Sequence, residues 1–331
     1  MKPFLFKTAK LLLICLIVLY VLGLLAEYKL YRNTRDRFYV TQADWHLYHR
    51  NKPQVLFMGN SRMAWQVNVP QIINHFDVPM YNLSQDSRQM KELWYKFKTY
   101  VERNGNPRVL VLQCDASSLS AVSFNQETFF GKDRYLTYLF FDQLHINHLF
   151  KQEKGFHDYE TYIPLIRYFE YPEHFWAYWN KKSSNPYESP NNYGSHLFTN
   201  DTIDTLGSVQ KTYVTFLNKT NPNFYVNFNY LDSFKNYCDN QQLKLVLVFP
   251  PQSTLSYKLF RPNHLKRIDS FLNQRALVNR NFNGPRYADD KLFYNHMHLN
   301  DRGANLFTDE LIAYLDSIGI QHYLTPNSIK K

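Results

Sequence analysis

Apolar positions along this chain follow two patterns. Near the start, residues 11–26 form an uncharged run between Lys10 and Glu27. Farther on, short apolar runs recur at 54–58, 80–83, 109–114 and 243–249, without the polar alternation of a half-wet sheet. Strands covered on both faces read this way. Helix-compatible segments lie between them, at 69–75, 89–103 and 223–241. Strand and helix in alternation, joined by short connections, predict βαβ units and a doubly wound parallel sheet of the α/β class. Pro53, Pro79 and Pro107 each stand just before a predicted strand, where a missing N–H does least harm.

A last helix is expected from the periodic Leu306, Phe307, Leu311, Ile312 and Leu315, with Asn300 or Asp301 as its cap. Between the third and fourth strand runs the alternation stops. Residues 116 to about 215 hold no comparable strand, and 21 of the 80 positions from 121 to 200 are Phe, Tyr or Trp. That density, above the chain average of 17%, predicts a large helical insertion standing over the strand ends. Its aromatic faces can pack as a subdomain or stack on sugar rings.

The apolar run at the start, preceded by Lys2, Lys7 and Lys10, predicts one transmembrane helix. Sixteen residues fall short of the roughly 20 that a span needs, but the lysines can snorkel outward. Tyr28 and Tyr31 suit the far interface. No Ala-x-Ala cleavage site follows, so an uncleaved anchor is preferred to a signal peptide. Residues 1–37 are therefore read as anchor and juxtamembrane segment, and 38–331 as an α/β domain carrying the insertion. A basic N-terminus before the span places it inside and the larger domain outside the cytoplasmic membrane.

Charge narrows the partners. The formal net charge is +10, and residues 1–37 contribute half of it with seven Lys or Arg against two acids. The rest of the 331 residues carries a weak field for its size, which argues for a membrane flank and against nucleic acid. Three cysteines make no disulfide framework and no zinc knuckle; Cys114 and Cys238 are expected as buried thiols. Neither His296 with His298 nor His145 with His148 has the neighbouring ligands a metal requires. No metal and no cofactor are expected.

Candidate chemistry lies at the end of the first strand run, in Gly59-Asn60-Ser61-Arg62. Reactive groups in a doubly wound sheet gather beyond the carboxyl ends of its strands. A helix starting there would aim N–H groups at a developing oxyanion. A serine hydroxyl also needs a base, and His298, on the loop entering the last helix, is the candidate. Asn60 and Arg62 are placed beside the substrate. Arg62 is open to two readings, pairing with an anionic substrate group or a structural ion pair.

Three segments together, Gly59-Asn60-Ser61-Arg62, Tyr81-Asn82-Leu83-Ser84 and His298-Leu299-Asn300-x-x-Gly303-Ala304, resemble the SGNH/GDSL hydrolase superfamily. The likeness is greatest to its membrane-anchored branch, which includes the D-alanyl-lipoteichoic acid transfer protein and polysaccharide O-acetylation enzymes. It covers about 54–115 and 243–316. The resemblance implies a three-layer, flavodoxin-like α/β/α domain with Ser61 as nucleophile and His298 as base. It further implies oxyanion donors from the backbone N–H groups of Ser61 and Ser84. The family's Asp three residues before the histidine is here Asn295, so Asp289 or Asp290 is considered as a substitute orienting group. The family's Gly-x-Asn-Asp block is replaced by Gln113-Cys114-Asp115-Ala116, with Gln113 as the stand-in amide donor. The function implied is an esterase or O-acyltransferase acting on acyl, chiefly acetyl, esters of a bacterial cell-surface glycan or glycolipid. An acyl-donating membrane transporter is a possible partner. The alternative is a descendant that keeps the fold, binds envelope polysaccharide and has lost turnover.

Overall fold

The computed structural model describes residues 2–34, 52–84, 89–115, 118–119, 197, 228–254, 262–295 and 297–324. By contacts the chain divides into two units. One comprises Met1–Gln42 and Phe124–Pro186, the other Ala43–Ser123 and Tyr187–Lys331.

In the first unit the described element is helix α1 (Lys2–Thr34). Because it begins well before the uncharged run, its apolar stretch extends over Pro3–Leu25, 23 residues. At 1.5 Å per residue that is about 34 Å, enough for a hydrocarbon core of about 30 Å. Its large apolar side chains, from Phe4 through Leu25, are exposed on every side. A helix apolar all round is built for a non-aqueous surround.

Among its described residues the second unit is an α/β domain on a five-stranded sheet whose strands are all parallel. The strands are β1 (Val55–Met58), β2 (Met80–Asn82), β3 (Val109–Gln113), β4 (Lys244–Phe249) and β5 (Asn279–Asn281). Their order in the sheet is β2-β1-β3-β4-β5. In register, Val55 faces Met80 on one side and Val109 on the other, and Val109 in turn faces Lys244.

Alternate side chains of the central strands feed two cores. Leu56, Met58, Leu110, Leu112, Leu245 and Leu247 pack beneath α4 (Met90–Asn104), α5 (Asn229–Asn240) and α6 (Pro262–Gln274). Val55, Phe57, Val109, Val111, Val246 and Val248 pack on the opposite side. There they meet α2 (Ser61–Gln66), α3 (Val69–Phe76) and α7 (Asp301–Ser317). Double coverage explains the uninterrupted apolar runs of β1, β3 and β4. Cys114 and Cys238 are free thiols within the first core.

The helix following β1 and the helix preceding β3 thus lie on opposite faces, while β1 pairs with both β2 and β3. The chain changes direction across the sheet at this point, the place where doubly wound sheets gather their ligand-binding groups, beyond the carboxyl ends of β1 and β3. The expected insertion at 116–215 lies outside the described residues, apart from 118, 119 and Leu197. Leu197 packs against the second core.

Candidate active site

Gly59 follows β1 because nothing larger fits. A Cβ there would meet the Gln113 Oε1 at 2.5 Å and the Met63 side chain closer still. Asn60 then reverses the chain as N-cap of α2, its Oδ1 accepting from the Arg62 N–H at 3.0 Å. Ser61 is consequently the first helical residue.

His298 arrives from the C-terminal side on a short clasp. Phe293 and Leu299, both buried, form an antiparallel bridge. The Tyr294 N–H donates to the His298 carbonyl at 2.9 Å and the Asn300 N–H to the Leu292 carbonyl at 3.0 Å. Asn300 caps α7 through Gly303 N–H, also at 3.0 Å. A Cβ on Gly303 would lie 2.2 Å from the Leu292 carbonyl oxygen, so only glycine lets α7 approach the clasp this closely.

These two pieces bring the side chains together across 237 residues. His298 Nε2 lies 2.8 Å from Ser61 Oγ. Its other ring nitrogen, Nδ1, lies 3.1 Å from Asn295 Oδ1. That same oxygen accepts from the N–H groups of Met297 and His298, each at 2.9 Å. Two backbone donors identify the facing atom as the carbonyl oxygen of the amide. Nδ1 must then carry the proton, and Nε2 offers its lone pair to the serine hydroxyl. The hydroxyl, imidazole and amide are therefore arranged so that Ser61 can pass its proton to His298.

No family model and no curated protein matches this chain.

Several residues expected at the site are employed otherwise. Asp289 is exposed and its Oδ1 accepts from the Lys291 N–H, and Asp290 is likewise exposed. Neither orients the imidazole, because Asn295 occupies that position and saturates it. The Ser84 N–H donates to Asn82 Oδ1 at 3.1 Å, in a turn closing β2. The Gln113 carboxamide accepts from the Asn60 N–H at 2.9 Å and donates to Asp115 at 2.5 Å. Both expected oxyanion donors thus already have acceptors within the chain. The helix of which Ser61 is the first residue is only six residues long. Within its first turn the N–H groups of Arg62, Met63 and Ala64 bond to Asn60. The Ser61 N–H remains, with no acceptor among the described residues.

Of the two readings of Arg62, the structure shows the ion pair. Its guanidinium is fully buried and sits 2.6 Å from Asp115, itself 2% exposed. Asp115 Oδ1 accepts from the Ser118 N–H and the Asp115 N–H donates to the Ser118 hydroxyl, each at 3.0 Å. Asn60 is 7% exposed and serves the turn. A buried polar network therefore ties the end of β1 to the end of β3 and fixes the backbone on which Ser61 stands.

Sequence reasoning gave no role of their own to Asp115, Asn82 and Gln66. Asn82, 1% exposed, holds α2 by donating to the Met63 carbonyl at 2.8 Å. The signal that could have found Asp115 is a lone carboxylate at the carboxyl end of a buried strand, which requires a cation. Among the described residues no three His, Cys, Asp or Glu side chains gather as metal ligands would.

Proposed function

We propose that this protein is a membrane-anchored serine esterase or acyltransferase of the SGNH type, acting on acyl esters of cell-envelope glycans. The observation that carries the reading is Ser61 Oγ at 2.8 Å from an imidazole nitrogen whose partner nitrogen is held by Asn295. The parallel sheet with order β2-β1-β3-β4-β5 supports it, since that is the flavodoxin-like order, with ligands bound at the β1/β3 switch. The resemblance of the three segments around Ser61, Ser84 and His298 to the SGNH/GDSL superfamily supports the type, and the word glycan rests on that resemblance alone.

Ser61 gives its proton to His298 Nε2 while Oγ attacks the acyl carbon. The oxyanion that forms faces the Ser61 N–H. The imidazolium returns the proton to the departing sugar oxygen as the C–O bond breaks, leaving an acyl group on Ser61. Water or a second sugar hydroxyl, deprotonated by His298, then takes the acyl group and frees Ser61. No cofactor enters these steps. The helix α1 would hold the domain at the outer side of a bacterial cytoplasmic membrane, within reach of its polymer and of a transporter that delivers acyl groups.

A second reading has its own support. An amide orients the histidine where a carboxylate is usual, the Ser84 N–H is occupied, and Gln113 gives one amide N–H to Asp115. These features suit a binding or scaffold protein that retains the fold without turnover. Hydrolysis of p-nitrophenyl acetate by the full chain in detergent, and labelling by a fluorophosphonate, separate the two. The enzyme reading expects both to vanish in Ser61→Ala and to fall at least 100-fold in His298→Ala. No Ser61-dependent signal in either assay leaves the binding protein.

A further inference from the structure

We infer that Gln66 is the positioning residue that sets the Ser61–His298 distance, by gripping the peptide unit that carries His298. This rests on the serine–histidine reading proposed above. Gln66 ends the short helix that Ser61 begins, and its side chain is fully buried. Its Nε2 donates to the Met297 carbonyl oxygen at 3.0 Å, across 231 residues of chain. The N–H of that same peptide unit, on His298, donates to Asn295 Oδ1 at 2.9 Å. One peptide plane is thus held at both ends, the carbonyl by Gln66 and the N–H by Asn295.

The consequence is geometric. A peptide plane fixed at both ends cannot rotate about its flanking Cα atoms, so the direction in which the His298 side chain leaves the backbone is set. Ser61 and the grip on His298 belong to the same six-residue helix. Any shift of α2 therefore carries the hydroxyl and the imidazole together, and their separation is preserved. The Tyr294 N–H bond to the His298 carbonyl is internal to the clasp, while Phe293 and Leu299 join the second core beside Met63 of α2. Those apolar contacts give no directional tie from α2 to the peptide unit that carries His298. Gln66 makes that tie from a burial depth at which a carboxamide without purpose is costly.

The test is a double-mutant cycle with p-nitrophenyl acetate on the full chain. Gln66→Leu keeps the volume and removes the donor. It is expected to lower kcat by roughly 10- to 100-fold, as a displacement near 1 Å does, with KM changed less than about twofold. In the His298→Ala background the same substitution should change the residual rate by less than about twofold, because nothing is left to position. A role in folding alone lowers both backgrounds by one factor and would overturn the inference. Gln66→Glu supplies a second readout should the leucine variant not fold. A protonated carboxyl can donate to the Met297 carbonyl and an ionised one cannot. Its rate relative to wild type should therefore fall as pH rises through a carboxyl pKa raised by burial. A flat ratio also overturns the inference. If Ser61→Ala or His298→Ala leaves turnover intact, the esterase reading itself fails. If those variants are dead and Gln66→Leu runs at the wild-type rate, only the positioning role fails.

Discussion

Replacing Asn295 with Asp should restore the carboxylate that ester-cleaving triads use, without moving an atom of the clasp. Asn295 Oδ1 already accepts from Met297 N–H, His298 N–H and His298 Nδ1, and a carboxylate oxygen accepts from all three. What changes is charge. Two unit charges at the observed 3.1 Å attract by about 1.3 kcal/mol in water and about 5 kcal/mol at an effective dielectric of 20. All three side chains of the site are half-buried, so the gain lies between these limits. A carboxylate this close raises a histidine pKa by about 1 to 3. If imidazolium forms in the rate-limiting step, kcat should rise by about 10- to 1000-fold. The roughly four decades lost on the reverse change in serine proteases set the ceiling. The base must be neutral to act, so the rising limb of kcat/KM against pH moves to higher pH in the variant. Rates are therefore compared on the plateau above it. The assay is p-nitrophenyl acetate hydrolysis by wild type, Asn295→Asp and the same variant carrying Ser61→Ala. A pH limb that stays where wild type has it, with a plateau rate unchanged within twofold, would show that turnover does not depend on this imidazole. His298 would then not be the base.

Two further outcomes concern stability. Asp115→Ala removes the carboxylate 2.6 Å from the buried guanidinium of Arg62 and should cost about 3–5 kcal/mol, whereas Arg62→Met with Asp115→Leu should cost much less; urea unfolding midpoints compare them. Burial pushes the Cys238 thiol up to about 12, and burial, then the neighbouring Asp115 charge, lifts Cys114 well above its usual value of about 9. The folded chain thus keeps protons that the unfolded chain loses near pH 9, so stability is constant below that point and declines as pH climbs from about 9 toward 12. Thermal unfolding midpoints from pH 8 to 10 should fall in wild type and flatten in Cys114→Ala/Cys238→Ala. Above pH 10 the buried Tyr100 and Tyr287, also held protonated by burial, steepen the decline in both.

What the sequence revealed follows from which interactions leave a periodic trace. Strands β1 to β4 were legible within one residue at each end because two helical layers demand apolar side chains on both faces. β5 was not, since Asn279-Arg280-Asn281 is an edge strand that is partly exposed and wholly polar. The six residues of α2 are too few to show a period, and α6 was likewise not assigned. Ser61 and His298 stood out through the residues around them, Gly59 before a turn and Asn300 at a cap. Hydrogen-bond occupancy left no such mark. That Ser84 and Gln113 spend their donors inside the chain depends on Asn82 and Asp115 lying beside them in space. The Arg62–Asp115 pair, 53 residues apart, has no spacing rule to reveal it.

The separation of Ser61 from His298 also has a consequence for biosynthesis. A ribosome adding about 5–20 residues per second takes roughly 12 to 47 s to travel from one to the other. Throughout that interval Ser61 lacks the histidine proposed as its base. For as long, the valine-lined face of the sheet also lacks α7, which roofs it in the finished domain. On the proposed reading, docking of α7 does two things in one step: it seals the second core and brings His298 to the serine.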